Sequence, residues 1–95
     1  MRLTAFQQQA IRDSVRTFVP DAKIFVYGSR ADDTKRGGDI DLLLLTSNPV
    51  EREIQYKILG SLYRSIGEQK IDLLIEDPAK LSLFGQIVFP TAVPL

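Results

Sequence analysis

The sequence predicts an α/β (α+β) fold: a three-stranded mixed sheet with helices packed on it, in the order α-β-α-β-α-β-α. Three observations predict it. Apolar residues recur at helical spacing in two long stretches, Phe6 to Val19 and Val50 to Ile66. Three short runs of Ile, Leu, Val and aromatic residues, at 23–27, 39–45 and 70–75, read as extended strands. The connections between those runs differ in length. Eleven residues join the first two, too few for a parallel crossover, so that pair is expected to be antiparallel. A long helix joins the second and third, the right size for a parallel crossover.

The first helix is expected from about Ala5 to Phe18. Thr4 and Gln7 have the spacing of a capping box. Phe6, Ala10, Ile11, Val15 and Phe18 form one apolar face, and Pro20 stops the pattern. The strand 23–27 ends at Gly28, after which Ser29 can cap a short helix or turn starting at Arg30. Residues 31–38 read as loop. In the second strand Asp39, Asp41, Leu43 and Leu45 share one face, and Ile40, Leu42 and Leu44 the other. Beyond Asp41 both faces are apolar, as in a central strand covered on two sides.

Asn48, Pro49 and Glu51 are read as the cap, first-turn proline and first-turn acid of the second long helix. Val50, Ile54, Ile58, Leu62 and Ile66 give it an apolar stripe, and Gly67 is its natural stop. In the third strand Lys70, Asp72 and Leu74 share a face. Asp77-Pro78 is read as the start of a last helix carrying Leu81, Phe84, Ile87 and Val88, and the tail from Phe89 as irregular.

Composition narrows the function. At 95 residues, one domain spanning 1–95 is expected. Twelve basic and twelve acidic residues cancel, so no global field favours nucleic acid or an anionic membrane. With neither Cys nor His, disulfides, thiolate or imidazole metal sites and a His-based triad are excluded. Chemistry is left to carboxylates, hydroxyls, Lys, Arg and backbone. The longest apolar run is four residues, Leu42 to Leu45, far short of a membrane span, and no secretory signal is visible, so a cytoplasmic protein is expected.

One pattern carries chemistry. Gly28 and Ser29 close the first strand; after nine intervening residues Asp39 and Asp41 open the second. The expected topology brings Asp72 to the same edge. Three carboxylates this close repel one another by about 1 kcal/mol per pair in water at ~5 Å, and by more where the dielectric falls. An all-oxygen set suits Mg2+ or Mn2+, and two such ions can clamp an in-line phosphoryl displacement. Gly28 allows backbone to approach a phosphate, and Ser29 adds a hydroxyl and an amide. Arg30, Lys35 and Arg36 are nearby cations suited to the outer phosphates.

Gly28-Ser29, nine residues, then Asp39-Ile40-Asp41, with Asp72 in a later strand, resembles the signature of the polymerase-beta-like nucleotidyltransferases. The small size resembles their minimal (MNT) group, and the resemblance covers essentially the whole chain. It implies the nucleotidyltransferase fold. It implies that Asp39, Asp41 and Asp72 are the catalytic carboxylates holding two metal ions, with Asp72 helping to deprotonate the attacking hydroxyl. It implies that Gly28, Ser29 and Arg30 receive the triphosphate of ATP or another nucleoside triphosphate. Gly38 stands where many relatives carry Ser, a departure expected to alter local hydrogen bonding and not metal binding.

Minimal members resemble antitoxins paired with a helical HEPN ribonuclease, which they inactivate by adding AMP to a tyrosine. The resemblance therefore implies a protein adenylyltransferase with a HEPN partner. Two alternatives stand beside it: a non-catalytic antitoxin that acts by occlusion, and a nucleotidyltransferase with a small-molecule acceptor. The C-terminal residues Leu81, Leu83, Phe84, Ile87, Val88, Phe89, Val93 and Leu95 are apolar. They either close the open face of the sheet or form an interface with a partner or a second copy.

Overall fold

The computed structural model describes residues 1–34 and 38–95. Among these, three α-helices and four strands follow one another as α1 (Ala5–Phe18), β1 (Lys23–Tyr27), β2 (Ile40–Leu45), α2 (Arg52–Ile66), β3 (Ile71–Glu76), α3 (Leu83–Val88) and β4 (Val93–Pro94). Short 3-10 turns occupy Gly28–Ala31 and Phe89–Thr91.

The sheet runs β3-β2-β1-β4. β1 and β2 are antiparallel, with Tyr27 opposite Asp41 and Lys23 opposite Leu45. β2 and β3 are parallel, with Asp41 opposite Asp72 and Leu45 opposite Glu76. Both pairings follow from the connection lengths. The fourth strand differs from the expected three and from an irregular tail. Val93 pairs with Val26 and Pro94 with Phe25, and the Leu95 amide donates to the Ile24 carbonyl at 2.9 Å. Two residues of pairing carry no periodicity signal, and a proline, which lacks an N–H, fits a strand only at an edge.

Both faces of the sheet are covered, as the all-apolar centre of β2 requires. On one face, Ile40, Leu42 and Leu44 join Ile24, Val26 and Ile71 beneath Ile11 and Val15 of α1 and Ile58 and Leu62 of α2. Most of these side chains are wholly inaccessible to solvent. Each such burial is worth about 1.5–3 kcal/mol. The helices also meet through a Ser14–Ser61 hydroxyl pair at 2.7 Å. On the other face, Leu43, Leu45 and Tyr27 pack with Val88, Leu74, Leu81, Phe25 and Ala92.

The capping box of α1 forms: the Gln7 amide donates to Thr4 Oγ1 and the Thr4 amide to Gln7 Oε1, both at 3.0 Å. α2 begins three residues later than the Asn48-Pro49 reading. Thr46 and Asn48 both donate to Asp21 Oδ2, which holds the end of β2 in a turn, and Glu51 becomes the N-cap. Gly67, at φ +85°, ends the helix as expected. Asp77-Pro78 does not start a helix. The Lys80 amide closes on the Asp77 carbonyl and the Ala79 amide on Asp77 Oδ1, making a tight turn. α3 starts at Leu83, capped by Ser82, whose Oγ accepts from the Gly85 amide at 3.0 Å.

Part of the C-terminal apolar segment closes the sheet, as one of its two readings expected, and part stays exposed. Val88, Leu81 and Ala92 close the sheet's second face. Leu83, Phe84 and Ile87 stay 80, 51 and 70 % exposed on α3. Among the described residues no helix is long and apolar enough to cross a membrane.

Candidate active site

The end of β1, the start of β2 and the start of β3 lie side by side, so Tyr27, Asp41 and Asp72 form one row across three strands. This row lies on the face that carries α3, because Asp41 alternates with Leu43 and Leu45, and Asp72 with Leu74. Asp39 precedes β2 by one residue. Its Oδ2 lies 3.6 Å from Lys70 Nζ, and both groups are solvent-facing.

Asp41 and Asp72 are close enough to share a hydrogen bond, and the Asp41 carboxyl is raised above the ordinary carboxylate value. Burial contributes most, followed by the charge of Asp72, the hydrogen bond to Asp72 and the charge of Asp39; Lys70 opposes the shift. The Tyr27 phenol is likewise pushed up, first by burial and then by the charges of Asp41 and Asp72. Tyr27 therefore stands beside the acidic row as a neutral phenol. Its ring rests edge-on against Phe84 of α3, with centroids 6.2 Å apart.

Gly28 lies against the same carboxylate. Its φ is +73°, and a Cβ built there would stand 2.5 Å from Asp41 Oδ2. Any side chain would displace Asp41, so glycine is required twice, by the backbone and by the neighbour. Beyond it, an open cleft of about 660 Å³ runs along Gly28, Ser29 and Ala31 to Thr34 and Thr91. Another hollow, of about 250 Å³, lies between α1 and α2 and is lined by Phe6, Ala10, Ser14 and Ser61, none of them in the acidic row.

Arg30 does not project freely. Its Nη1 donates to the Arg2 carbonyl and its Nη2 to the Gly38 carbonyl, each at 3.0 Å, with Gln69 Oε1 at 3.4 Å. Lys35 and Arg36 lie outside the described residues. Among the described residues, no group of three acidic side chains is arranged to hold one metal ion. Asp41 and Asp72 are brought together, and Asp39 stands beside them on Lys70. The donor set nevertheless fits a hard divalent cation. It is oxygen-only, clustered enough to raise a carboxyl, and faces a glycine that leaves Asp41 Oδ2 uncovered.

Sequence reasoning missed Tyr27, Arg2 and Gln69. Tyr27 reads as an ordinary strand aromatic, and only the register sets it opposite Asp41. Arg2 and Gln69 carry no local pattern at all.

The chain is thus an α/β protein with a carboxylate row at the mouth of a mixed sheet, beside a glycine turn and an open cleft. A model of the nucleotidyltransferase domain family matches residues 9–93, so the chain belongs to that family. No curated protein matches the chain. Nucleotidyl transfer is the activity of the family, and a nucleoside triphosphate is its donor substrate.

Proposed function

We propose that the protein transfers AMP from ATP to a hydroxyl of a partner protein, a tyrosine of a helical HEPN toxin, and so acts as its antitoxin in the cytoplasm. The observation that carries the transferase part is the Asp41–Asp72 pair with Gly28 against Asp41 Oδ2. Such a pair is costly to keep without a ligand.

In this reading the acceptor oxygen attacks the α-phosphorus. The bond between the α-phosphorus and the oxygen bridging to the β-phosphate breaks, and pyrophosphate leaves. Two divalent cations, Mg2+ with Mn2+ as substitute, would be held by Asp39, Asp41 and Asp72 and would neutralise charge on the triphosphate. Asp72, at the open edge of the row, takes the proton of the attacking hydroxyl. Gly28 and Ser29 receive the phosphates, with Arg30 directly behind them. Tyr27 stands beside Asp41 as a neutral phenol.

The exposed Leu83, Phe84 and Ile87 support a protein acceptor, since α3 walls the same face of the sheet as the acidic row. The same residues support a second reading, an antitoxin that occludes its partner without catalysis.

Incubation with Mg2+ and α-labelled ATP, with and without lysate of the source cell, followed by mass spectrometry, tests both. Label appearing as AMP on a protein hydroxyl supports the first reading. Label on a small molecule moves the acceptor to that class. Absence of transfer from any nucleotide by folded protein favours occlusion.

A further inference from the structure

Two arginines far apart in sequence grip each other's backbone around the Gly28–Ala31 turn. The Arg2 amide donates to the Arg30 carbonyl at 2.7 Å, and Arg30 Nη1 returns a bond to the Arg2 carbonyl at 3.0 Å. The Arg2 guanidinium then reaches across the turn, with Nη2 on the Ser29 carbonyl at 3.1 Å and Nε on the Asp32 carbonyl at 3.4 Å. Arg30 carries the grip onward to the Gly38 carbonyl, next to Asp39, and to Gln69, which precedes β3.

We propose that Arg2 is a positioning residue for the nucleoside triphosphate, holding the Gly28–Ser29 turn in the shape that receives the phosphates. The inference rests on the nucleotidyl-transfer reading. Its physical basis is the planarity of the peptide bond. The Arg2 backbone amide pins the Arg30 carbonyl and the Arg2 guanidinium the Ser29 carbonyl, so two successive peptide planes are fixed with the amides of Arg30 and Ala31 on the opposite side, and Arg2→Ala releases the Ser29 plane alone. A turn of four residues with a glycine at positive φ has little stiffness of its own. Two charge-assisted bonds from one rigid fork supply it. Lysine, with a single point charge, cannot hold the Ser29 and Asp32 carbonyls in the same way.

The test uses the full chain and calorimetric titration with Mg2+ plus a non-hydrolysable ATP analogue, and with Mg2+ plus AMP. Arg2→Ala is expected to weaken the ATP analogue about tenfold, the scale of losing charge-assisted hydrogen bonds, and to leave AMP little changed. The preference for triphosphate over monophosphate therefore collapses. Arg2→Lys, which keeps the charge, should recover only a minor part of it. Thr4→Ala weakens α1 next to Arg2 without touching the turn, and should lower the melting temperature while keeping the wild-type preference. If Arg2→Ala or Arg2→Lys keeps the preference of a wild type that shows one, the positioning role is overturned alone. A wild type that does not prefer the triphosphate overturns the role together with the reading beneath it.

Discussion

Asp41 faces Asp72 directly across the parallel β2–β3 pair, and burial together with the charge of Asp72 raises the Asp41 carboxyl above its ordinary value. A sheet gains nothing in stability from this. Like charges set opposite each other on neighbouring strands are destabilising, and the pair stands where apolar residues occupy the next positions of the same face.

The pair makes stability depend on pH. The Asp41 carboxyl titrates higher in the folded chain than in the unfolded one. Between those two values the native state binds more protons, so stability falls as pH rises through the window and then levels off. Asp41→Asn removes that decline. At pH 7 it should raise stability by about 0.5–1 kcal/mol after solvent screening, or roughly 2–6 °C in melting temperature, while abolishing transfer. Melting curves across the acid range, with and without Mg2+, check this. An unchanged pH profile in Asp41→Asn would show that the two carboxyls do not repel.

Mg2+ should act on the same pair. A divalent cation that binds the folded chain alone raises its melting temperature, by an amount that grows with the logarithm of its concentration above Kd. The increment is expected in wild type, reduced in Asp39→Asn and absent in Asp41→Asn with Asp72→Asn. Equal increments in all three would remove the carboxylates from the metal site.

Gly28→Ala should lose stability by about 1–3 kcal/mol, from the positive φ and from displacement of Asp41. Transfer should fall with it, because Asp41 moves. Denaturant midpoints and transfer rates measured on one preparation check both halves.

Leu43→Ala removes the side chain at the centre of the second-face core and should cost about 2–5 kcal/mol. Leu83→Ser with Ile87→Ser, on the exposed side of α3, should change stability by less than about 0.5 kcal/mol. If α3 meets a protein partner, the double variant should also lose capture of that partner. Retained capture would move the interface elsewhere on the surface.

Most of the fold was legible because its signals are local and repeated. The α1 boundaries and β1 follow from capping chemistry and from a glycine and a proline at the ends. Boundaries that depend on distant partners were not legible. Asn48 is drawn into a turn by Asp21, twenty-seven residues away, and α2 starts late as a result. Asp77 looks like a helix cap but closes a tight turn that leads into α3. β4 is too short to leave a periodic trace, and its place at the edge depends on β1 being open there.

The candidate site was legible as residue types and spacing, Gly28-Ser29 and Asp39-x-Asp41, together with the connection lengths that bring Asp72 alongside. Those follow from sequence alone, since chain reach and strand alternation limit where each carboxylate can lie. Tertiary structure decided the rest. It set Asp41 opposite Asp72 and left Asp39 on Lys70, pressed Gly28 onto Asp41, added Tyr27 to the row and closed the Arg2–Arg30 grip on the turn. Each of these joins residues through register or packing between separate elements. No spacing along the chain encodes such contacts, because their geometry exists only once the sheet has formed.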